Sequence, residues 1–68
     1  MRTNLKVFRT QQKMTQSEFA KAVGCSLSQY GMIEQGRRDG KQSFWTKLQT
    51  TFNIPDSKMW ELVKLDEA

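Results

Sequence analysis

The sequence predicts an all-α domain of five short helices, and three observations carry that reading. Apolar residues recur at spacings of three and four along the chain, while the alternation of a strand never persists. Two tetrapeptides, Thr15-Gln16-Ser17-Glu18 and Ser26-Leu27-Ser28-Gln29, have the form of a capping box. In such a box a hydroxyl accepts from the amide three residues on, and a longer side chain reaches back to the cap amide. Between the boxes stands Gly24, suited to the positive φ that ends one helix and turns the chain into the next. At 68 residues the chain makes one domain, 1–68, with a small core.

The first helix is expected from about Asn4 to Gln12, with Leu5 and Phe8 inward and Lys6 outward; Lys13 and Met14 form the link. The second, Gln16 to Val23, carries Phe19, Ala20 and Val23 as an apolar stripe, with Ala20 small enough for close helix approach. The third, Leu27 to Gln35, turns Tyr30 and Ile33 inward, and Gly36 repeats the stop signal. After Gly36-Arg37-Arg38-Asp39-Gly40, a fourth helix sets Phe44, Trp45, Leu48 and Phe52 at helical spacing and is expected to end at Pro55. Asp56 then reads as the cap of a last helix, Ser57 to about Leu65, with Met59, Leu62 and Val63 inward.

The composition argues against several function classes. With no His, one Cys and seven scattered carboxylates, the parts for acid–base, nucleophilic or metal chemistry are mostly missing. No enzyme activity, metal, cofactor or small-molecule ligand is expected. Cys25 has no partner for an internal disulfide, suits a reducing cytoplasm, and reads as a small filler of the inter-helix turn. No apolar run approaches the roughly 20 residues of a membrane span, and no secretory leader is visible, so a cytoplasmic protein without a membrane partner is expected.

Charge is distributed unevenly. Residues 1–47 hold nine Lys or Arg against Glu18, Glu34 and Asp39, a net of +6; the remainder sets Lys58 and Lys64 against Asp56, Glu61, Asp66 and Glu67, a net of −2. A basic front and a mildly acidic back suit a domain that touches a polyanion at one end. Two capped helices across a tight turn, over 15–36, are the layout of a helix-turn-helix motif.

Those residues bring out a resemblance. Leu5, Phe8-Arg9, Thr15-Gln16, Glu18-Phe19-Ala20, Val23-Gly24, Ser26, Ile33-Glu34, Gly36, Leu48, Phe52 and Ile54 stand in register without gaps. In this pattern the chain resembles the lambda-repressor-like helix-turn-helix family, of the Cro/repressor or xenobiotic-response-element type, over roughly Leu5 to Ile54. The resemblance implies a compact five-helix DNA-binding domain in which the second and third helices form the motif. The chain departs from the pattern at Tyr30, where a β-branched aliphatic is usual, at Gly31 inside the helix, and at Gln49 in place of a common Ala.

A major groove about 12 Å wide admits one α-helix, and the positions of the third helix that can point away from the core are Leu27, Ser28, Gln29 and Met32. The resemblance implies that base contacts come mainly from these four. Gln29 offers a donor and an acceptor together, which matches adenine N6 and N7; Ser28 can bond any base, and Leu27 and Met32 suit thymine methyls. An ordinary solvated helix face is the plain alternative. For the phosphates, the free amides and positive dipole end at the start of the second helix form an anion site, to which Gln16 adds a donor, its role by the resemblance. Arg37, Arg38, Lys41 and Gln42 lie close enough to flank the far strand.

Arg9 and Glu34 fall where the resembling family carries a structural ion pair tying the first helix to the end of the third. Arg9 as one more phosphate ligand is the competing view. The C-terminal part holds more large apolar residues than so small a core needs; Trp60 falls off the inner stripe and, with Ile54 and Pro55, marks a seam for a homodimer. If Trp60 instead caps the monomer core, that seam disappears. The expected function is sequence-specific binding of double-stranded DNA at a palindromic operator by a transcriptional regulator. The rival is a protein-interaction module on the same fold, an antitoxin or regulatory partner, suggested by the apolar, glycine-bearing face of Leu27, Gly31 and Met32.

Overall fold

Thr15 opens the helix that organises the molecule: its hydroxyl accepts from the Glu18 amide at 3.1 Å, and Glu18 Oε1 accepts from the Thr15 amide at 2.9 Å. Both halves of the capping box are made, and α2 spans Gln16–Ala22. In this computed structural model, which describes residues 1–66, α1 spans Thr3–Gln11, α3 Leu27–Glu34, α4 Gln42–Phe52 and α5 Asp56–Val63. Glu67, counted above in the tail charge, and Ala68 lie outside the described residues. The described residues contain helices and turns and no strand.

The turn between α2 and α3 follows from Gly24, whose φ of +75° is open to glycine at no steric penalty. It brings the Cys25 amide within 3.0 Å of the Ala20 carbonyl. Ser26 then caps α3 through the Gln29 amide at 3.1 Å, but only half of the second box forms, because the Gln29 side chain stays in solvent. α2 packs on α3, and α1 lies across α3 and α5. Leu5, Phe19, Tyr30, Ile33, Leu48 and Leu62 fill the shared core. Phe52 stacks on Phe19 with ring centroids 5.0 Å apart, and Phe8 meets both edge-on. Each large apolar side chain so buried contributes about 1.5–3 kcal/mol.

Two expectations at the C-terminal end are corrected. α4 ends on Asn53, which takes the left-handed conformation at φ 56° and returns the Ile54 amide to the Gln49 carbonyl at 3.0 Å; Pro55 lies beyond this stop. Asp56 does not cap α5. Pro55 occupies the cap position and makes no side-chain bond there, while Asp56 sits in the first turn and accepts from the Gln49 amide group. Gln49 also donates to the Ile54 carbonyl at 2.9 Å, so the residue that departs from the common Ala joins the end of α4 to the start of α5.

Candidate nucleic-acid interface

The outer side of α3 is built by what its inner side must do. Tyr30 and Ile33 are almost wholly buried, which turns Leu27, Ser28 and Gln29 outward and leaves Met32 half-buried at the margin. Leu27 is 50% exposed, a large apolar surface left in solvent at the first helical position. Gly36, at φ +82°, then reverses the chain, and the amides of Arg37 and Arg38 return to the Met32 carbonyl at 2.8 and 3.3 Å. The loop is thereby folded back along α3. Gln29, Arg37, Arg38 and Lys41 line one shallow depression, and Gln29 and Lys41 also border a second one with Ser43 and Lys47. Amide and cations therefore share a surface.

α4 begins beside this loop. Its cap position, Lys41, makes no side-chain bond to the first-turn amides, and Lys41, Ser43 and Lys47 from this end of α4 border the second depression. Gln42 is exposed in that first turn, 3.5 Å from Thr46 Oγ1. Lys47 and Ser43 were not singled out in the sequence. Their signal was available, since Lys47 lies in the first turns of a helix that starts at the loop, but only the fold back along α3 shows that they border Gln29.

Beneath the surface lies a polar hub. Glu34, 2% exposed, accepts from Arg9 Nε at 3.0 Å, from the Tyr30 hydroxyl at 2.6 Å and from Gln16 Nε2 at 3.1 Å. Burial pushes the Glu34 carboxyl up, but the bonds from Arg9, Tyr30 and Gln16 outweigh it and hold the group below the ordinary carboxylate value. The bond to Glu34 raises Arg9 further above its already high value, and burial drives the Tyr30 phenol well up, so all three partners keep fixed protonation states near neutrality. Arg9 also donates to the Met14 carbonyl at 2.8 Å, closing the link in which Lys13 takes φ 58°. Its guanidinium faces inward. Gln16 stands at the first position of α2 with one amide hydrogen committed to Glu34.

Among the nine cations of residues 1–47, Arg2 and Arg9 are buried and turned to internal acceptors. The surface charge is carried by Lys6, Lys13, Lys21, Arg37, Arg38, Lys41 and Lys47, all exposed. At the far end, Trp60 is 78% exposed and Pro55 is exposed, but Ile54, grouped with them as a seam residue, is 5% exposed in the monomer core. Ile54 is corrected to a core residue: the Asn53 reversal turns it inward. Trp60 does not cap the core; it borders an open groove between α4 and α5 with Trp45, Met59 and Val63.

A family model of helix-turn-helix domains, of the Cro/repressor and xenobiotic-response-element type, matches residues 5–58. The chain belongs to this family. No curated protein and no solved structure matches it. Members of the helix-turn-helix family are DNA-binding regulatory domains, not enzymes. The matched stretch runs from α1 into the first turn of α5, so it contains the motif, the basic loop and the hub, and leaves out Arg2 and Trp60. No helix of the described residues is long and apolar enough to cross a membrane.

Proposed function

We propose that this helix-turn-helix domain is a sequence-specific transcriptional regulator that reads the major groove of double-stranded DNA with α3. Leu27, Ser28, Gln29 and Met32 meet base edges, with Gln29 supplying the donor–acceptor pair for adenine. Gln16, Arg37, Arg38, Lys41 and Gln42 contact phosphates on either side and fix the register. The observation that supports this reading is the depression lined by Gln29 together with Arg37, Arg38 and Lys41, an amide beside three cations with Asp39 as the one carboxylate on the rim. Family membership supports it.

One such domain buries little DNA surface, so discrimination among genomic sites calls for two copies on half-sites about 34 Å apart. The regulator is accordingly a twofold homodimer on a palindromic operator, joined through Trp60 and Pro55. It acts by occupying promoter DNA against RNA polymerase and needs no cofactor. Selection of bound duplexes from a random pool, with titration at low and moderate salt, tests this. A palindromic consensus, with affinity falling on log axes at a slope of about −5 for five or six phosphate contacts, is expected. Absence of salt-sensitive duplex binding at micromolar protein would overturn the reading in favour of a partner-binding module.

A further inference from the structure

Arg2 is the most heavily engaged side chain outside the hub, and its partners are backbone carbonyls from three places in the chain. Nη1 donates to the Ile33 carbonyl at 2.6 Å and to the Arg38 carbonyl at 2.8 Å, Nε to the Val63 carbonyl at 2.9 Å, and Nη2 to the Asp39 carbonyl at 3.4 Å. The Arg2 amide adds a bond to the Glu34 carbonyl at 2.7 Å. The residue is 2% exposed, and its nearest carboxylate, Asp39, is 3.9 Å away on a side chain that is almost wholly in solvent. A buried cation held by carbonyls instead of a close counter-ion is costly unless the acceptors need it.

Here they do. Val63 and Glu34 lie in the last turns of α5 and α3, where carbonyls lack intrahelical donors and the dipole favours a cation; the Ile33 carbonyl also accepts from the Gly36 amide at 3.1 Å, so Arg2 shares that acceptor with the turn that starts the loop. Arg38 and Asp39 are the middle of the basic loop. Trp45 completes the clamp: its indole Nε1 donates to the same Asp39 carbonyl at 3.1 Å, and its ring lies 5.4 Å below the Arg2 guanidinium.

We propose that Arg2 is a positioning residue for DNA binding, which locks the backbone carrying Arg37, Arg38 and Lys41 to the end of the reading helix. The proposal rests on the DNA-binding reading above and adds to it a residue outside the matched stretch. Arg2 touches no phosphate itself. Its fork presents donors on three nitrogens, so it can hold α3, α5 and the loop at once; a lysine ammonium, with its donors on one atom, cannot span them.

The test compares the full chain with Arg2→Lys and, separately, Trp45→Phe, which removes the indole donor and some buried volume while keeping an aromatic ring. Binding to a pool of random-sequence 20-base-pair duplexes is measured across salt concentrations, well below each protein's unfolding midpoint, alongside amide exchange at Arg37 and Arg38. The expected result is faster exchange at those amides, a several-fold loss of affinity for all duplexes, and a salt slope shallower by about 1 as phosphate contacts lose register. An unchanged slope and affinity in folded Arg2→Lys, even with lowered stability, would reduce Arg2 to a purely structural role and overturn the proposal. Should Arg2→Lys fail to fold, the slope of Trp45→Phe decides in the same way. Failure of the unsubstituted protein to bind the pool would instead sink the DNA-binding reading itself.

Discussion

The Tyr30 hydroxyl donates to Glu34 Oε2 at 2.6 Å from one turn back on the same helix, and this bond accounts for a tyrosine at a core position of the motif. An aliphatic residue would fill the volume but leave a buried carboxylate oxygen with fewer donors. With Arg9 and Gln16 on the same carboxylate, the pair joins α1, α2 and α3 through one charge. Glu34→Ala therefore strands the Arg9 guanidinium and is expected to destabilise the domain by about 3–5 kcal/mol, whereas Tyr30→Phe, which leaves the ion pair intact, costs about 1.5–3 kcal/mol. Urea unfolding monitored by circular dichroism checks the order; equal effects would mean that the charge is not what couples the helices.

Acid should expose the same hub. Because the Glu34 carboxyl is held below its ordinary value of 4.5 in the folded protein, the unfolded chain binds the extra proton, and stability rises with pH through this range. The contribution is complete above pH 4.5 and is lost as pH falls through the lower folded value. Exposed Glu18, held down by the Thr15 backbone, and Asp66, held down by Thr3, shift in the same direction. Urea midpoints measured from pH 6 to pH 3 should fall, and fall less steeply in Glu34→Gln, which cannot titrate. A midpoint that rises on acidification would contradict the assignment.

What was legible in the sequence was mostly local. The Thr15 box, the Gly24 turn and the alignment of Phe19, Tyr30 and Leu48 on inner faces depend on residues a few positions apart, where spacing dictates geometry. The outward set of α3 follows from the inward set, so Leu27, Ser28 and Gln29 could be picked out before any coordinates. Asp56 and Ile54 were misread because a left-handed Asn53 was not anticipated: it stops α4 early, turns Ile54 inward and shifts the start of α5. Arg2 was invisible for a different reason. Its acceptors are carbonyls 31 to 61 residues away, which carry no side-chain signature.

Phosphate and base contacts should separate by substitution. Arg37 and Arg38 are exposed on the loop, so replacing both with Ala should weaken every duplex alike and make the salt slope shallower by about 2 for each domain bound. Gln29→Ala should leave the slope nearly unchanged and relax preference at one base pair by about 1–3 kcal/mol. Competition binding against single-base variants of the selected site distinguishes the two; the opposite pattern would exchange the roles of loop and helix.

The glycines make a sharper contrast than their common small size suggests. Gly31 has helical backbone and open space where a Cβ would stand, so Gly31→Ala should stabilise the free domain by about 1 kcal/mol. Its place between Leu27 and Met32 predicts that the added methyl lowers duplex affinity. Gly36→Ala should do the reverse to stability: at φ +82° any side chain is strained, and the Cβ would meet Leu65 at 2.9 Å and the Met1 nitrogen at 3.0 Å. A loss of about 2–4 kcal/mol follows from strain and overpacking together. Thermal midpoints of the two variants should move in opposite directions.

Trp60 tests the dimer. An indole left 78% exposed beside an open groove gives the monomer almost nothing, so Trp60→Ala should change the stability of dilute protein by no more than about 0.5 kcal/mol. At a twofold seam the same side chain would be counted twice and desolvated by its partner copy, and truncation of such an aromatic anchor costs about 2 kcal/mol or more per copy, roughly 30-fold in the dimer dissociation constant for each of the two. Sedimentation equilibrium at micromolar concentration should show the unsubstituted chain as a dimer and Trp60→Ala shifted to monomer. On a palindromic duplex the variant should lose cooperative occupation of the two half-sites while keeping its affinity for a single one. A variant that dimerises as well as the parent would move the seam away from α5, and a parent that stays monomeric at every concentration would leave DNA-templated pairing as the only source of twofold symmetry.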